Sequence, residues 1–228
     1  MLWQEEEEII ETADSDEVID LAFDITCKML PVDHAYALSQ AIIQVLPWFA
    51  AESLAGLHLI YGAASGNGWQ RPDELMYLSR RTKLILRLPM NRISDAQALT
   101  GTVLDVAGHE MKVGKASEKA LVSMPVLLAH HIIADESQDE DSFIVQCVNE
   151  LKQMNVECRK ALCGKSYHFT TPEETIFTRS LMIADISPVD AITVQQQGLG
   201  AGRTMGFGIF LPHKDITPVN TAKQDKAK

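Results

Sequence analysis

The sequence predicts an α+β chain of two tandem βαββαβ halves. Two observations carry this reading. Strand-like and helix-like runs follow one another in the same order twice, and 228 residues with 46% hydrophobic content suit one large domain or two small ones, each with its own core. The expected organisation is an acidic flexible leader over residues 1–16, a first half over 17–116, a second over 117–213, and a loose polar tail over 214–228.

In the first half, "VIDLAFDI" (18–25) reads as a strand and "DHAYALSQAIIQVL" (33–46) as a helix. Asp33 is the expected N-cap, and Leu38, Ala41, Ile42, Val45 and Leu46 share one helical face. "LHLIYGA" (57–63) and "TKLILRLP" (82–89) read as strands, "ISDAQALT" (93–100) as a short helix, and "TVLDVAGHEMKVG" (102–114) as a strand with a turn.

The second half opens near residue 118, with "VSMPVLLAHHIIA" (122–134) as its first strand run. A helix is expected over about 141–154, where Phe143, Ile144, Cys147, Val148, Leu151 and Met154 keep helical spacing. "SYHFT" (166–170) and "FTRSLMIADI" (177–186) are strand candidates. Ser187 is the expected N-cap of a last helix, with Pro188 at its first position and Asp190 three residues after the cap. A glycine-rich loop, "GLGAGRTMGFG" (198–208), leads into a terminal strand in "MGFGIFL". There Met205, Phe207, Ile209 and Leu211 would share a face and the glycines would leave the other bare. The repeated order implies tandem ferredoxin-like domains.

The net charge of −11 is unevenly placed. Residues 1–20 hold nine carboxylates and no basic group, and "DESQDED" (135–141) holds five more, which leaves 17 acidic against 20 basic residues elsewhere. The body is therefore mildly basic, a nucleic-acid partner is not excluded, and the acidic runs read as solvated faces. No secretory signal or bilayer-spanning run is present, so a cytoplasmic protein without membrane contact is expected. Cys27, Cys147, Cys158 and Cys163 are too sparse for a disulfide framework and read as reduced thiols. Cys147, Cys158, Cys163 and His168 lack the paired C-x-x-C spacing of zinc sites, and no metal or other cofactor is expected. His130 and His131, adjacent on a strand, should point to opposite faces in core or surface roles.

The glycine-rich loop first suggests a phosphate cradle, because backbone N–H groups without a Cβ nearby can approach an anion. The order of elements argues against a nucleotide. A dinucleotide fingerprint runs strand, G-x-G-x-x-G, helix, yet this loop precedes a strand and Arg203 stands where the third glycine would fall. No Walker lysine follows, and no nucleotide cofactor is expected. Such a loop can instead lie against another polymer, with Arg203 reaching phosphate or stacking on a base, or it can be a tight connection that tolerates close strand packing. Arg80, Arg81, Lys83 and Arg87 in "SRRTKLILR" fit phosphate contacts or a charge-protected strand edge.

The spacing G-hydrophobic-G, five residues, G-hydrophobic-G before a terminal strand resembles the glycine-rich loop of the repeat-associated RNA-binding superfamily of CRISPR systems. Within it, "LPVDHAYALSQAI", "GLHLIYG", "LSRRTKLILRLP", "GHEMKVG" and "QQQGLGAGRTMGFGIFLP" together resemble the Cas-six endoribonucleases of the Myxan subtype, in order over about residues 29–213. The resemblance implies tandem ferredoxin-like domains that bind CRISPR repeat RNA and cut it once per repeat without a metal. In that chemistry the ribose 2′-hydroxyl attacks the adjacent phosphate, leaving a 2′,3′-cyclic phosphate and a 5′-hydroxyl. The guide RNA then often stays bound and passes to an effector complex of the Cascade type. Relatives carry several arginines where this loop has Arg203 alone.

The resemblance also selects candidate residues. Histidine suits proton transfer because its pKa of about 6.5 lies near working pH. His34, at the start of the first helix, is the leading candidate, and the positive helix end should lower its pKa and favour a base. His58 is its expected proton partner, and Tyr36, about 200° around the helix from His34, is a weaker one. Gly198, Gly200, Gly202, Arg203, Gly206 and Gly208 are the expected RNA contacts of the loop, joined by Arg80, Arg81, Lys83 and Arg87. Two other functions fit the same sequence: a catalytically silent RNA-holding subunit of a CRISPR effector complex, and a nucleotide or small-molecule enzyme.

Overall fold

The computed structural model describes residues 18–62 and 75–213, so the acidic leader and the polar tail lie outside the described residues. The first half contains β1 (Val18–Thr26), β2 (Met29–Pro31), α1 (Ala35–Val45), β3 (Gly56–His58), β4 (Leu75–Tyr77), β5 (Lys83–Pro89), α2 (Ile93–Ala96), β6 (Val103–Val106) and β7 (His109–Lys119). The second contains β8 (Val126–Ile133), α3 (Glu140–Gln153), β9 (Lys160–Thr170), β10 (Thr175–Ala184), α4 (Pro188–Gln197) and β11 (Phe210–Pro212). One sheet has the order β3-β5-β1-β7-β6, the other β11-β8-β10-β9, and β2 pairs with β4 in a separate ribbon. Both sheets are antiparallel with the strand order of a ferredoxin-like fold, β6 being an added edge strand. Strand β7 runs to Lys119, paired with Asp20, past the division expected at 116.

The period of two along a strand divides the first sheet into two unlike faces. Ile19, Leu21 and Phe23 of β1, with Leu84, Leu86 and Leu88 of β5, join Leu38, Ala41 and Ile42 of α1 in one core. Each fully buried side chain of this kind contributes about 1.5–3 kcal/mol. The other face carries Asp20 opposite Arg87, with Gly56 opposite Arg87 on its far side and His58 two residues along. An isolated ferredoxin-like unit leaves this face open, but here the second half covers it. The second half has its own core, in which Phe143, Cys147 and Leu151 of α3 meet Leu127, Ala129, Leu181 and Ile183 of the sheet.

The last helix starts as its sequence predicts. Ser187 Oγ accepts the Asp190 N–H at 3.1 Å, with Pro188 at the first helical position. Ser187→Ala should cost about 1 kcal/mol, read as a lower urea midpoint at constant slope; an unchanged midpoint would show that this cap contributes nothing.

Three local expectations are corrected. Asp33 does not cap α1; His34 occupies the N-cap position without a side-chain cap bond, and the Asp33 carboxylate accepts the Thr170 N–H of β9 at 2.8 Å instead. The acceptor is thus spent on joining the two halves. "LHLIYGA" is strand only up to His58, because the Ile60 N–H turns to His34 Nε2 rather than to a neighbouring strand. The terminal strand begins only at Phe210, since Gly206 and Gly208 have φ of +91° and +68°, which breaks the alternation expected over Met205–Leu211.

Candidate active site

Arg87 sits at the seam between the halves. Fully buried, it grips Asp20 through two nitrogens, Nε to Oδ1 at 2.8 Å and Nη2 to Oδ2 at 3.1 Å. Its Nη1 donates to Gln195 O and Phe210 O of the second half, at 2.9 and 2.8 Å. Burial works to raise the Asp20 carboxyl, but the adjoining His58 and Arg87 outweigh it and hold the group far below the usual carboxylate range. Arg87 therefore has no reach to RNA phosphate, because its strand turns it to the covered face of the sheet.

Arg203 is likewise withdrawn from solvent, 8% exposed. One Nη2 donates to Leu54 O at 3.1 Å in the first half and to Gln196 O at 2.8 Å in the second. Burial, reinforced by nearby Arg87, lowers its pKa to about 10. The expectation that Arg203 projects to a phosphate or a base is corrected: the guanidinium bridges the halves from inside.

The glycine loop owes its shape to close packing. The Gly208 N–H donates to His131 O at 2.6 Å, and its carbonyl accepts the Leu199 N–H at 3.0 Å. Gly206 presses on Leu59 and on the Leu57 carbonyl of the first half, where a Cβ would overlap Leu59. Gly198 leaves room for the Arg203 guanidinium and Gly202 for Phe207. Of the six expected loop contacts, Gly200 alone is exposed, beside exposed Ala201. The bare face of the loop is thus turned mainly to its own protein.

The loop, the second sheet and the segment after β3 enclose a shallow cleft lined by His58, Leu59, Tyr61, His130, Gly206 and Leu211. His58 Nε2 lies 3.2 Å from Asp20 Oδ1, an ion-pair distance outside hydrogen-bond alignment. Burial lowers the His58 pKa, Asp20 draws it back up, and Arg87 and Arg203 push it further down. The expected pairing of His130 and His131 with opposite faces is corrected. Ala129 pairs with Leu181 and Ile132 with Arg179, so the two histidines share a β-bulge opposite Ser180. Both rings consequently approach Tyr61, at 5.0 and 6.4 Å between centroids.

His34 is 2% exposed and is not among the residues that line this cleft. Its Nδ1 donates towards Pro31 O and Val32 O, each at 3.1 Å, and its Nε2 accepts the Ile60 N–H at 3.2 Å. Both nitrogens are occupied, and burial lowers its pKa against the pull of those carbonyls and Asp33. Tyr36, half-buried, is not among the cleft residues. Arg80 and Arg81 are exposed and, among the described residues, unpaired, whereas Lys83 is paired with Asp24. Cys27, Cys147, Cys158 and Cys163 are free thiols. No helix among the described residues is long and apolar enough to cross a membrane. His130, Tyr61 and Asp20 joined the site without a sequence signal beyond the adjacent histidines, since a bulge depends on the partner strand.

Comparison with known proteins gives a consistent result. The model of the Cas6 Crispr family matches residues 19–215. The CRISPR-associated endonuclease Cas6 of Myxococcus xanthus is 28% identical over 194 residues, covering 85% of this chain and 81% of that protein. Two solved structures share the fold: a CRISPR associated protein Cas6 (TM-score 0.60, 13% identity, 87% of this chain and 100% of that one) and an RAMP protein binding different RNA substrates (TM-score 0.56, 14% identity, 85% and 98%). With a family match that spans both ferredoxin-like halves, the chain belongs to the Cas6 family.

Proposed function

We propose that this protein is a CRISPR repeat-RNA endoribonuclease that cuts by attack of the 2′-hydroxyl on the adjacent phosphate, needs no metal for the step, and passes the guide RNA to Cascade-type effector subunits. The observation that carries this reading is convergence on one short segment. Gly206 packs on Leu57 and Leu59, His58 stands between them at the cleft, and His34 holds the Ile60 amide through Nε2. The endonuclease name of the Myxococcus xanthus relative supports the same reading.

His58 is the better placed proton acceptor of the two histidines expected from sequence. Asp20 Oδ1 lies 3.2 Å from Nε2, which favours the proton at that nitrogen and leaves Nδ1 to accept one; the imidazolium so formed is stabilised by the carboxylate. His34 serves as a positioning residue, because a base needs a free lone pair and the Ile60 amide takes the one at Nε2. Arg80, Arg81 and the Gly200 tip are the surfaces available for the phosphate backbone.

The test is incubation with the repeat RNA of the protein's own locus in EDTA. One cut per repeat ending in a 2′,3′-cyclic phosphate is expected, and none when the ribose at that position is 2′-deoxy. Tight binding without cutting would instead identify the silent RNA-holding subunit, and absence of both would overturn the reading.

A further inference from the structure

The histidine pair on β8 takes no part in the roles of His58 and His34, and only one of the two is committed to packing. His131 is 5% exposed, with Nδ1 3.3 Å from Thr178 Oγ1 and its ring edge-on to Tyr167 and Phe169, each at 4.8 Å. His130 is half-buried, lines the cleft with His58, and makes no side-chain hydrogen bond or ion pair among the described residues. In a regular strand the two would face opposite ways; the bulge opposite Ser180 brings their rings to 6.2 Å and to the same tyrosine. The bulge is tied to the glycine loop, since His131 O accepts the Gly208 N–H, and β11 pairs with β8 at Ala129, next to the bulge.

We propose that His130, turned into the cleft by this bulge, gives the proton to the departing 5′ oxygen when the RNA is cut, an inference that rests on the endoribonuclease function above. The step balances. The 2′-hydroxyl proton passes to His58 Nδ1, the O2′–P bond forms, the P–O5′ bond breaks, and the proton of the His130 imidazolium moves to O5′. The products are a cyclic phosphate and a 5′-hydroxyl, and both histidines return to their starting states by exchange with solvent.

The unlike surroundings of the two rings assign the roles. His58 has a carboxylate beside it, which favours acquiring a proton, whereas His130 has Tyr61 and its bulge neighbour His131 at ring-contact distance. Burial lowers the pKa of both rings, so the roles rest on their neighbours: of the two, His58 has the carboxylate that can hold the imidazolium formed when it takes a proton.

The experiment compares two RNAs, the natural repeat and one whose scissile 5′ oxygen is replaced by sulfur, a leaving group that departs without a proton. On the natural RNA, His130→Ala and His130→Gln should cut roughly 10²- to 10⁴-fold more slowly than the unaltered protein, with repeat binding retained. On the sulfur substrate both should return to within about tenfold of it, while His58→Ala remains slow. Cutting of the natural RNA at the unaltered rate, or an equal loss on both substrates with binding retained, overturns the role of His130 and leaves the endoribonuclease reading intact. If the unaltered protein cuts neither RNA, that reading fails and this one with it. Should His130→Ala lose repeat binding through misfolding, His130→Gln, which keeps a polar side chain of similar reach, decides the matter by the same comparison.

Discussion

Arg87→Ala is expected to destabilise the folded protein by about 3–5 kcal/mol, the range for breaking one partner out of a buried ion pair. The loss has three parts on this structure. The Asp20 carboxylate loses both of its guanidinium bonds, Gln195 O and Phe210 O lose their donor, and a fully buried side chain leaves a cavity. Because those carbonyls belong to the second half, the damage falls on the seam as well as on the first core. Arg87→Lys should recover only part, since one ammonium cannot hold a two-pronged grip on Asp20 and reach two carbonyls as well. Urea unfolding measures both variants, and a loss below about 1 kcal/mol for the Ala change would mean that the network is not structural. A cycle with Asp20→Ala isolates the ion pair, and coupling near zero would contradict the bidentate contact.

The second large effect is on catalysis. His58→Ala should slow repeat cleavage by roughly 10²- to 10⁴-fold, and its signature is in the pH profile. A base works unprotonated, so its contribution grows as pH rises through its pKa; burial has moved that pKa below about 6.5. An acid works protonated, so the His130 contribution declines as pH rises through its own lowered pKa. The kcat/KM profile should therefore peak on the acid side of about 6.5, and His58→Ala should remove its rising limb. His34→Ala should also cut more slowly, through the lost tether to Ile60, yet keep that limb. Loss of the rising limb in His34→Ala with its retention in His58→Ala would reverse the two roles.

Leu38, Ala41 and Ile42 in α1, or Phe143, Cys147 and Leu151 in α3, declare a buried face by spacing alone. Ser187, Pro188 and Asp190 declare a helix start in four residues. Arg87 could be placed on its strand from sequence, but its face was ambiguous, because an arginine among leucines fits an exposed edge as well as a covered pair. Arg203 looked free because glycines surround it, whereas those glycines are what let the chain close around it. The position of His34 at a helix start is legible in the sequence, whereas the amide that occupies its Nε2 comes from a segment 26 residues away.

By itself the sequence determined the two βαββαβ halves, most strand and helix positions, the cap of the last helix and the family resemblance, because periodicity, capping and loop spacing are properties of residues near one another in the chain. Only the tertiary structure decided that Arg87 and Arg203 lie inside the seam, that His34 is tethered, and that His130, at a bulge, lines the same cleft as His58. The physical reason is that burial of a charge and the direction of a side chain at a bulge depend on partners far away in sequence. Arg87 finds its carbonyls 108 and 123 residues on, and no local pattern encodes them.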